Sequence, residues 1–142
     1  MKTLSDKKTE ELVIIELFRD RFKNFPGGVL TVSESPDFIL SIGPEKKLGL
    51  ELTRLHQQIK GTDPFSYENI VACLQQKEEK LELYRRKRLQ EYWLILFVRD
   101  PAYSPRYNLY NKLIVWEFET DFNRVFFFNL LNSDVFELKK TG

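Results

Sequence analysis

The 142-residue sequence has few of the side chains on which many catalytic and structural sites depend. It contains one cysteine, Cys73, and one histidine, His56. A single cysteine allows no intrachain disulfide and no cysteine-based zinc site, and a single histidine excludes metal sites built on histidine pairs. A Ser-His-Asp triad would depend on His56 alone, with no supporting motif. A reduced, cytoplasmic setting is the simplest interpretation of this composition.

Long apolar runs and an excess of either charge are also missing. The first ten residues are polar, and no run approaches the length of a membrane span, so we expect no signal peptide and no membrane association. The 22 basic and 21 acidic residues leave a formal net charge of +1. The composition therefore implies no general attraction to nucleic acid, and any basic patch must be local.

Hydrophobic material for a core is nevertheless abundant. Hydrophobic residues make up 42% of the chain and aromatic residues 14%, whereas disordered segments are poor in aromatic side chains. The length suits a single core. We therefore expect one domain over residues 1–142, with a short flexible N-terminus at residues 1–8.

Hydrophobic periodicity predicts two long helices. The first covers residues 5–25, with Asp6 or Thr9 as its N-cap. The second covers residues 62–89, with Asp63 as its N-cap and a proline at its first helical position.

Alternating and continuous apolar runs predict the strands of one sheet. These runs are residues 29–35, 37–42, 48–55, 91–98, 124–130 and 134–139. Residues 108–119 suit either a helix or a strand. The predicted order is α-β-β-β-α-β-(α or β)-β-β, a mixed α/β sheet with helices packed against it.

One predicted hairpin carries an acid where a strand should pack its core. It lies in the stretch ESPDFILSIGPEKKLGLELTRL, residues 34–55. Side chains alternate between the two faces of a strand, so the leucines of LGLEL share one face. The other face carries Gly49, Glu51 and Thr53.

The turn of this hairpin predicts which residue faces that acid. A turn about residues 43 to 46 makes paired positions sum to 88 or 89, so Asp37 lies opposite Glu51 or Leu52. Like charges directly opposed on a sheet are destabilising, and a cation between them would remove the penalty. Carboxylates, a backbone carbonyl and waters are ligands that Mg²⁺ or Mn²⁺ prefers. The alternative is an exposed hairpin whose acids pair with nearby lysines.

The segment SPDF followed by LGLELT resembles the PD-(D/E)xK nuclease superfamily, which has the restriction-endonuclease-like fold. The order of elements is similar to that family over residues 10–98. The resemblance implies that Asp37 and Glu51 bind Mg²⁺ or Mn²⁺ together with the backbone carbonyl of Leu52. Thr53 stands where the family usually has a lysine that orients the attacking water and stabilises the phosphate charge.

The resemblance also points to residues on both helices. Glu11 matches the acid that the family often adds from its first helix, although an acid there also favours the helix dipole. Some members of the superfamily move the lysine to another element, and Lys77 or Lys80 on the second helix would serve that role. Catalytic roles are therefore implied for these three residues together with Asp37, Glu51 and Thr53.

Two functions follow from these patterns. The first is a Mg²⁺- or Mn²⁺-dependent endonuclease that hydrolyses phosphodiester bonds, with DNA as the default substrate and RNA not excluded. The second is a nuclease-like fold without catalysis that serves as a protein or nucleic-acid interaction module, which the missing lysine and the near-neutral charge favour. Because the chain has no separate recognition domain, an active enzyme would take its specificity from a homodimer or a protein partner.

Overall fold

The computed structural model describes residues 5–99 and 109–141 as an α/β fold with a mixed six-stranded sheet flanked by helices. The helices are α1 (Asp6–Arg21), α2 (Tyr67–Glu78), α3 (Leu81–Arg85) and α4 (Leu109–Leu113). The strands are β1 (Val29–Val32), β2 (Phe38–Ser41), β3 (Lys47–Arg54), β4 (Glu91–Val98), β5 (Glu117–Phe118), β6 (Arg124–Asn129), β7 (Asp134–Glu137) and β8 (Lys139–Lys140).

The central sheet combines antiparallel edges with a parallel middle. Its strand order is β1-β2-β3-β4-β6-β7. β4 pairs in parallel with β3 on one side and with β6 on the other, and the remaining neighbours are antiparallel. β5 and β8 form a separate parallel pair. The parallel strands need crossover connections, and α2 with α3 supplies the one between β3 and β4.

Alternation along the strands builds two apolar layers. In β4, Trp93 and Ile95 pack on the side of α1, whereas Leu94 and Leu96 pack on the side of α2 and α3. α1 covers one face of β4, and α2 with α3 covers the other, so the sequence of β4 is a continuous apolar run. The boundaries observed for β4 are those predicted.

The helix starts differ from those predicted. Ser5 is the N-cap of α1, with its Oγ 3.1 Å from the amide of Lys8, so residues 6–8 form the first helical turn instead of the expected flexible N-terminus. Ser66 is the N-cap of α2, because the helix begins at Tyr67 and the Oγ of Ser66 accepts from the amide of Asn69, whereas Asp63 accepts from the amide of Phe65 in the turn before the helix. Residues 1–4 lie outside the described residues.

Two predicted elements each divide in two. The helix expected over residues 62–89 is α2 followed by α3, since the chain makes a tighter turn at Glu79 and Lys80. The ambiguous segment 108–119 contains both α4 and β5; its first residue lies outside the described residues. The C-terminal strand expected over residues 134–139 ends at Glu137, and β8 follows as an additional strand.

Within residues 5–99 and 109–141, none of the helices is long and apolar enough to cross a bilayer.

Candidate functional site

A cavity of about 490 Å³ opens at the end of the sheet where β2 begins and β3 ends. The first turns of α1 form one wall and the C-terminal part of α2 with α3 forms the other. The side chains that line it include all six residues for which the sequence predicts catalytic roles, namely Glu11, Asp37, Glu51, Thr53, Lys77 and Lys80. The fold therefore brings the predicted residues to one place.

The β2–β3 register places Asp37 beside Glu51. Phe38 pairs with Leu50, so paired positions sum to 88, one of the two values predicted. The amide of Asp37 donates to Glu51 Oε1 at 3.1 Å, and the amide of Leu52 donates to Asp37 Oδ2 at 2.9 Å. Each carboxylate thus accepts a hydrogen bond from a backbone amide of the opposite segment, just beyond the last residue pair of the hairpin.

The Leu52 backbone faces the same opening. In an extended strand the N–H and C=O of one residue point to the same edge. Because the amide of Leu52 donates to Asp37, its carbonyl is directed to this edge as well, where β2 has not yet begun. This is the orientation that the predicted carbonyl ligand requires.

Glu51 is a buried acid, 5% exposed, on the α2 side of the sheet. Its Oε2 accepts a hydrogen bond from the hydroxyl of Tyr84 and lies 3.6 Å from Nζ of Lys77. Burial and the neighbouring Asp37 raise the pKa of Glu51 to about 7, against the opposing effects of Tyr84 and Lys77. Burial and the same carboxylates raise the pKa of the Tyr84 hydroxyl. Tyr84 therefore stays protonated, and its hydroxyl donates the hydrogen bond that holds Glu51 in place.

A second set of charges lies on the α1 side of Asp37. Nζ of Lys8 is 3.5 Å from Asp37 Oδ1 and 3.4 Å from Glu11 Oε1. Burial raises the pKa of Glu11, the charge of Asp37 adds to the effect, and Lys8 opposes it. Glu11 and not Glu10 faces the cavity acids, because Glu10 pairs with Arg99. Asp37 therefore lies between two acids, each of which also contacts a lysine.

The two candidate lysines differ in their placement. Lys77 reaches the buried carboxylate of Glu51, and its side chain is only 18% exposed. Lys80 lines the cavity mouth and is exposed to solvent. Thr53 is half-buried in the cavity wall and brings a hydroxyl but no positive charge. Of these two lysines, Lys77 is thus the one that contacts the Asp37–Glu51 pair.

The donor chemistry of the cavity fits a hard divalent cation. Asp37, Glu51 and Glu11 offer carboxylate oxygens and Leu52 a carbonyl, the ligand types that Mg²⁺ and Mn²⁺ prefer. In the described part of the chain, however, no group of three or more His, Cys, Asp or Glu side chains is gathered closely enough to hold a metal ion. Lysines lie against the carboxylates instead, so an ion at the Asp37–Glu51 pair would have to draw further oxygens from solvent or substrate.

Two residues that contact the acids of the site, Tyr84 and Lys8, are not among the predicted site residues. Tyr84 matches the apolar stripe of the second helix and is assigned to the core by that pattern. Lys8 falls in the polar N-terminal segment. No sequence signal marks Lys8, because its place three residues after the N-cap is defined only once Ser5 is identified as that N-cap.

A second, larger cavity of about 1060 Å³ lies between the start of α2 and the segment from α4 to β5. Tyr67 and Trp116 form part of its wall, and the ring of Tyr67 contacts the rings of Trp116 and Phe118. These contacts are core packing, whereas the smaller cavity gathers coupled acids and lysines. Perturbed acids in a cleft are the better indication of a functional site.

Comparisons of the chain with protein families, with curated proteins and with solved structures found no significant match.

Proposed function

We propose that the chain is a Mg²⁺- or Mn²⁺-dependent nuclease with a restriction-endonuclease-like fold. The observation that carries the proposal is the ammonium group of Lys77 beside the coupled pair of Asp37 and Glu51, 3.6 Å from Glu51 Oε2. It provides the positive charge that Thr53, at the usual position of the motif lysine, does not bring.

The arrangement of elements supports this proposal. α1 precedes a hairpin whose strands carry Asp37 and Glu51, and a helical crossover then leads to the buried parallel strand β4. This is the order that the PD-(D/E)xK resemblance implies. The acids lie at the open end of the hairpin, where a substrate phosphate can approach the cavity.

Each side chain of the cavity has a role in this proposal. When bound, Mg²⁺ or Mn²⁺ lowers the pKa of a water molecule and offsets charge that builds on the phosphate. Asp37 and Glu51 would hold the ion together with the Leu52 carbonyl. The hydroxyl of Thr53 can donate a hydrogen bond to the attacking water or accept one from it. Lys77 supplies positive charge beside the Asp37–Glu51 pair.

Two further groups would support these roles. Tyr84 fixes the orientation of Glu51 through its hydroxyl, which is the task of a residue that positions a ligand. Glu11 faces Asp37 from α1 and would bind a water of the ion. DNA remains the proposed substrate through the resemblance, and specificity would come from a second copy or a protein partner.

Cleavage of labelled oligonucleotides tests the proposal. Single- and double-stranded DNA and RNA are incubated with the chain in Mn²⁺, in Mg²⁺ and in EDTA. We expect cleavage with either ion, none in EDTA, and none for Asp37→Asn. Lys77→Met should lower the rate about 100-fold, the usual effect of removing one group that stabilises transition-state charge.

Lys80→Met is the matched comparison for Lys77→Met. It removes a lysine from the same cavity, but one that is exposed at the mouth, so we expect a much smaller loss. Equal losses for the two variants would contradict the role of Lys77. Wild-type protein without cleavage in either ion would overturn the nuclease proposal.

The rival function is an interaction module that has lost catalysis. A specific observation favours it. Lys8 already lies against Glu11 and Asp37, and Lys77 lies against Glu51. In that case the lysines would balance the acids permanently and the chain would show neither metal binding nor cleavage. The same assay therefore separates the two functions.

A further inference from the structure

Lys8 is a buried lysine in the first turn of α1, 8% exposed. Lysines are almost never fully buried unless they are paired. Its Nζ lies near two backbone carbonyls, 2.9 Å from Ser33 O and 3.4 Å from Asp37 O. It also lies 3.4 Å from Glu11 Oε1 and 3.5 Å from Asp37 Oδ1. Four oxygens from three residues thus surround the ammonium group.

The local energetics of α1 do not favour a lysine at this position. Ser5 is the N-cap, so Lys8 is the third residue of the helix. A glutamate or glutamine there would complete a capping box, and the helix dipole disfavours a positive charge in the first turn. The surrounding oxygens, with the ring centroid of Phe38 5.1 Å from Nζ, therefore account for the burial of the ammonium group.

We propose that the Lys8 ammonium occupies a cation position and thereby keeps a divalent ion out of the α1 side of the cavity. Two carboxylates and two carbonyls are the hard oxygen donors that Ca²⁺, Mg²⁺ and Mn²⁺ prefer. Lys8 would then limit the wild-type chain to one ion, at the Asp37–Glu51 pair. The inference deepens the proposed function and rests on it for that first ion.

Asp37 makes the two positions neighbours. Its Oδ1 faces Lys8, and its Oδ2 accepts from the amide of Leu52 on the side of Glu51. Removal of the ammonium would leave Glu11 and Asp37 facing each other without a cation between them. A divalent ion could then take its place, because the donor oxygens are already held by α1 and by the loop from Ser33 to Asp37.

Mn²⁺ titration by calorimetry tests this inference on the wild type and on Lys8→Met. We expect one ion per chain for the wild type and two for the variant. In EDTA the variant should have a lower Tm than the wild type, and saturating Mn²⁺ should raise the Tm of the variant more than that of the wild type. Lys7→Met is the matched control, since Lys7 precedes Lys8 in the same turn but is exposed; it should bind one ion.

A second variant covers the case in which Lys8→Met does not fold in EDTA. Lys8→Met combined with Glu11→Gln removes one acid together with the ammonium, so it should fold without Mn²⁺ and bind one ion. If Mn²⁺ cannot restore folding to Lys8→Met while the double variant folds, the ion does not replace Lys8 and the inference is overturned. Failure of the double variant to fold would overturn it too, because Lys8 would then be needed for more than charge balance.

The outcomes separate this inference from the proposed function. One ion of unchanged affinity in both the wild type and Lys8→Met would overturn the role of Lys8 and leave the nuclease proposal intact. No ion in the wild type and one in Lys8→Met would support the role of Lys8 and overturn the metal-dependent nuclease. No ion in either protein would overturn both.

Discussion

Neutralising Glu51 should make the stability of the chain less dependent on pH. The pKa of Glu51 rises from its ordinary value of 4.5 to about 7, chiefly because burial disfavours the charged form and because Asp37 lies beside it. The folded chain therefore holds a proton on Glu51 that the unfolded chain releases above pH 4.5. By linkage, the stability that this group contributes is complete below pH 4.5 and is lost as the pH rises to about 7 and above.

The size of this effect follows from the shift. One pKa unit corresponds to about 1.4 kcal/mol, so a shift from 4.5 to about 7 corresponds to a loss on the order of 3 kcal/mol between pH 4.5 and pH 8. Glu51→Gln keeps the shape of the protonated acid: its amide oxygen can accept from the amide of Asp37, and its amide nitrogen can donate to the hydroxyl oxygen of Tyr84. The free energy of unfolding of the variant should equal that of the wild type near pH 4.5 and should be higher than that of the wild type at pH 8.

Urea unfolding at a series of pH values, in EDTA, measures this difference. The acids away from Glu51 contribute equally to both profiles, so the difference between wild type and Glu51→Gln reports Glu51 together with its interaction with Asp37. Glu16→Gln is the matched control, because Glu16 is exposed on α1, and it should leave the profile unchanged. Parallel profiles for wild type and Glu51→Gln, or a variant less stable than wild type at pH 8, would refute the argument.

Two further changes test the packing that positions the site. Tyr84→Phe removes the hydroxyl that donates to Glu51 and should lower the free energy of unfolding by about 2 kcal/mol at pH 8, measured in urea. An unchanged midpoint of urea unfolding would mean that the hydroxyl does not hold the acid. Gly49→Ala would place a Cβ 2.7 Å from Pro36 Cγ and 2.8 Å from Leu89 Cδ1, so we expect a loss of about 1–3 kcal/mol by the same method. A stability equal to wild type would show that the loop before Asp37 can move away at little cost.

Much of the sheet could be predicted because its strands are governed by local patterns. β4 is paired on both sides and covered on both faces, so an uninterrupted apolar run marks its limits. The position of the hairpin turn predicts Asp37 opposite Glu51 or Leu52, and the observed register has the first of these. The hairpin joins strands that are close in the chain, whereas β4 is recognised from its own apolar run although its neighbours β3 and β6 are distant in sequence.

The helix boundaries could not be predicted as well, because several residues compete for the same role. Asp63 and Ser66 both have the side chain of an N-cap, and only the contact of Ser66 with the amide of Asn69 at the start of α2 decides between them. The break between α2 and α3 has no helix-breaking residue, and the apolar stripe continues across it through Leu81 and Tyr84. Such a break depends on how the helices fit the sheet.

The residues of the hairpin mark the site by their own pattern, whereas Glu11, Lys77 and Lys80 on the helices are implied only by the family resemblance. Glu51 departs from the apolar pattern of its strand, which is a signal in the sequence itself. Tyr84 satisfies the apolar pattern of its helix, so its contact with Glu51, 33 residues earlier in the chain, leaves no local trace. Lys8 depends on Ser33 and Asp37, which are 25 and 29 residues away, and its role emerges only from the fold.

The most direct test of the proposed metal site is an anomalous difference map from crystals of the wild-type chain soaked in Mn²⁺. The account predicts one peak per chain, about 2–2.5 Å from a carboxylate oxygen of both Asp37 and Glu51, and loss of that peak in Asp37→Asn. A peak at another place, or no peak at saturating Mn²⁺, would contradict it.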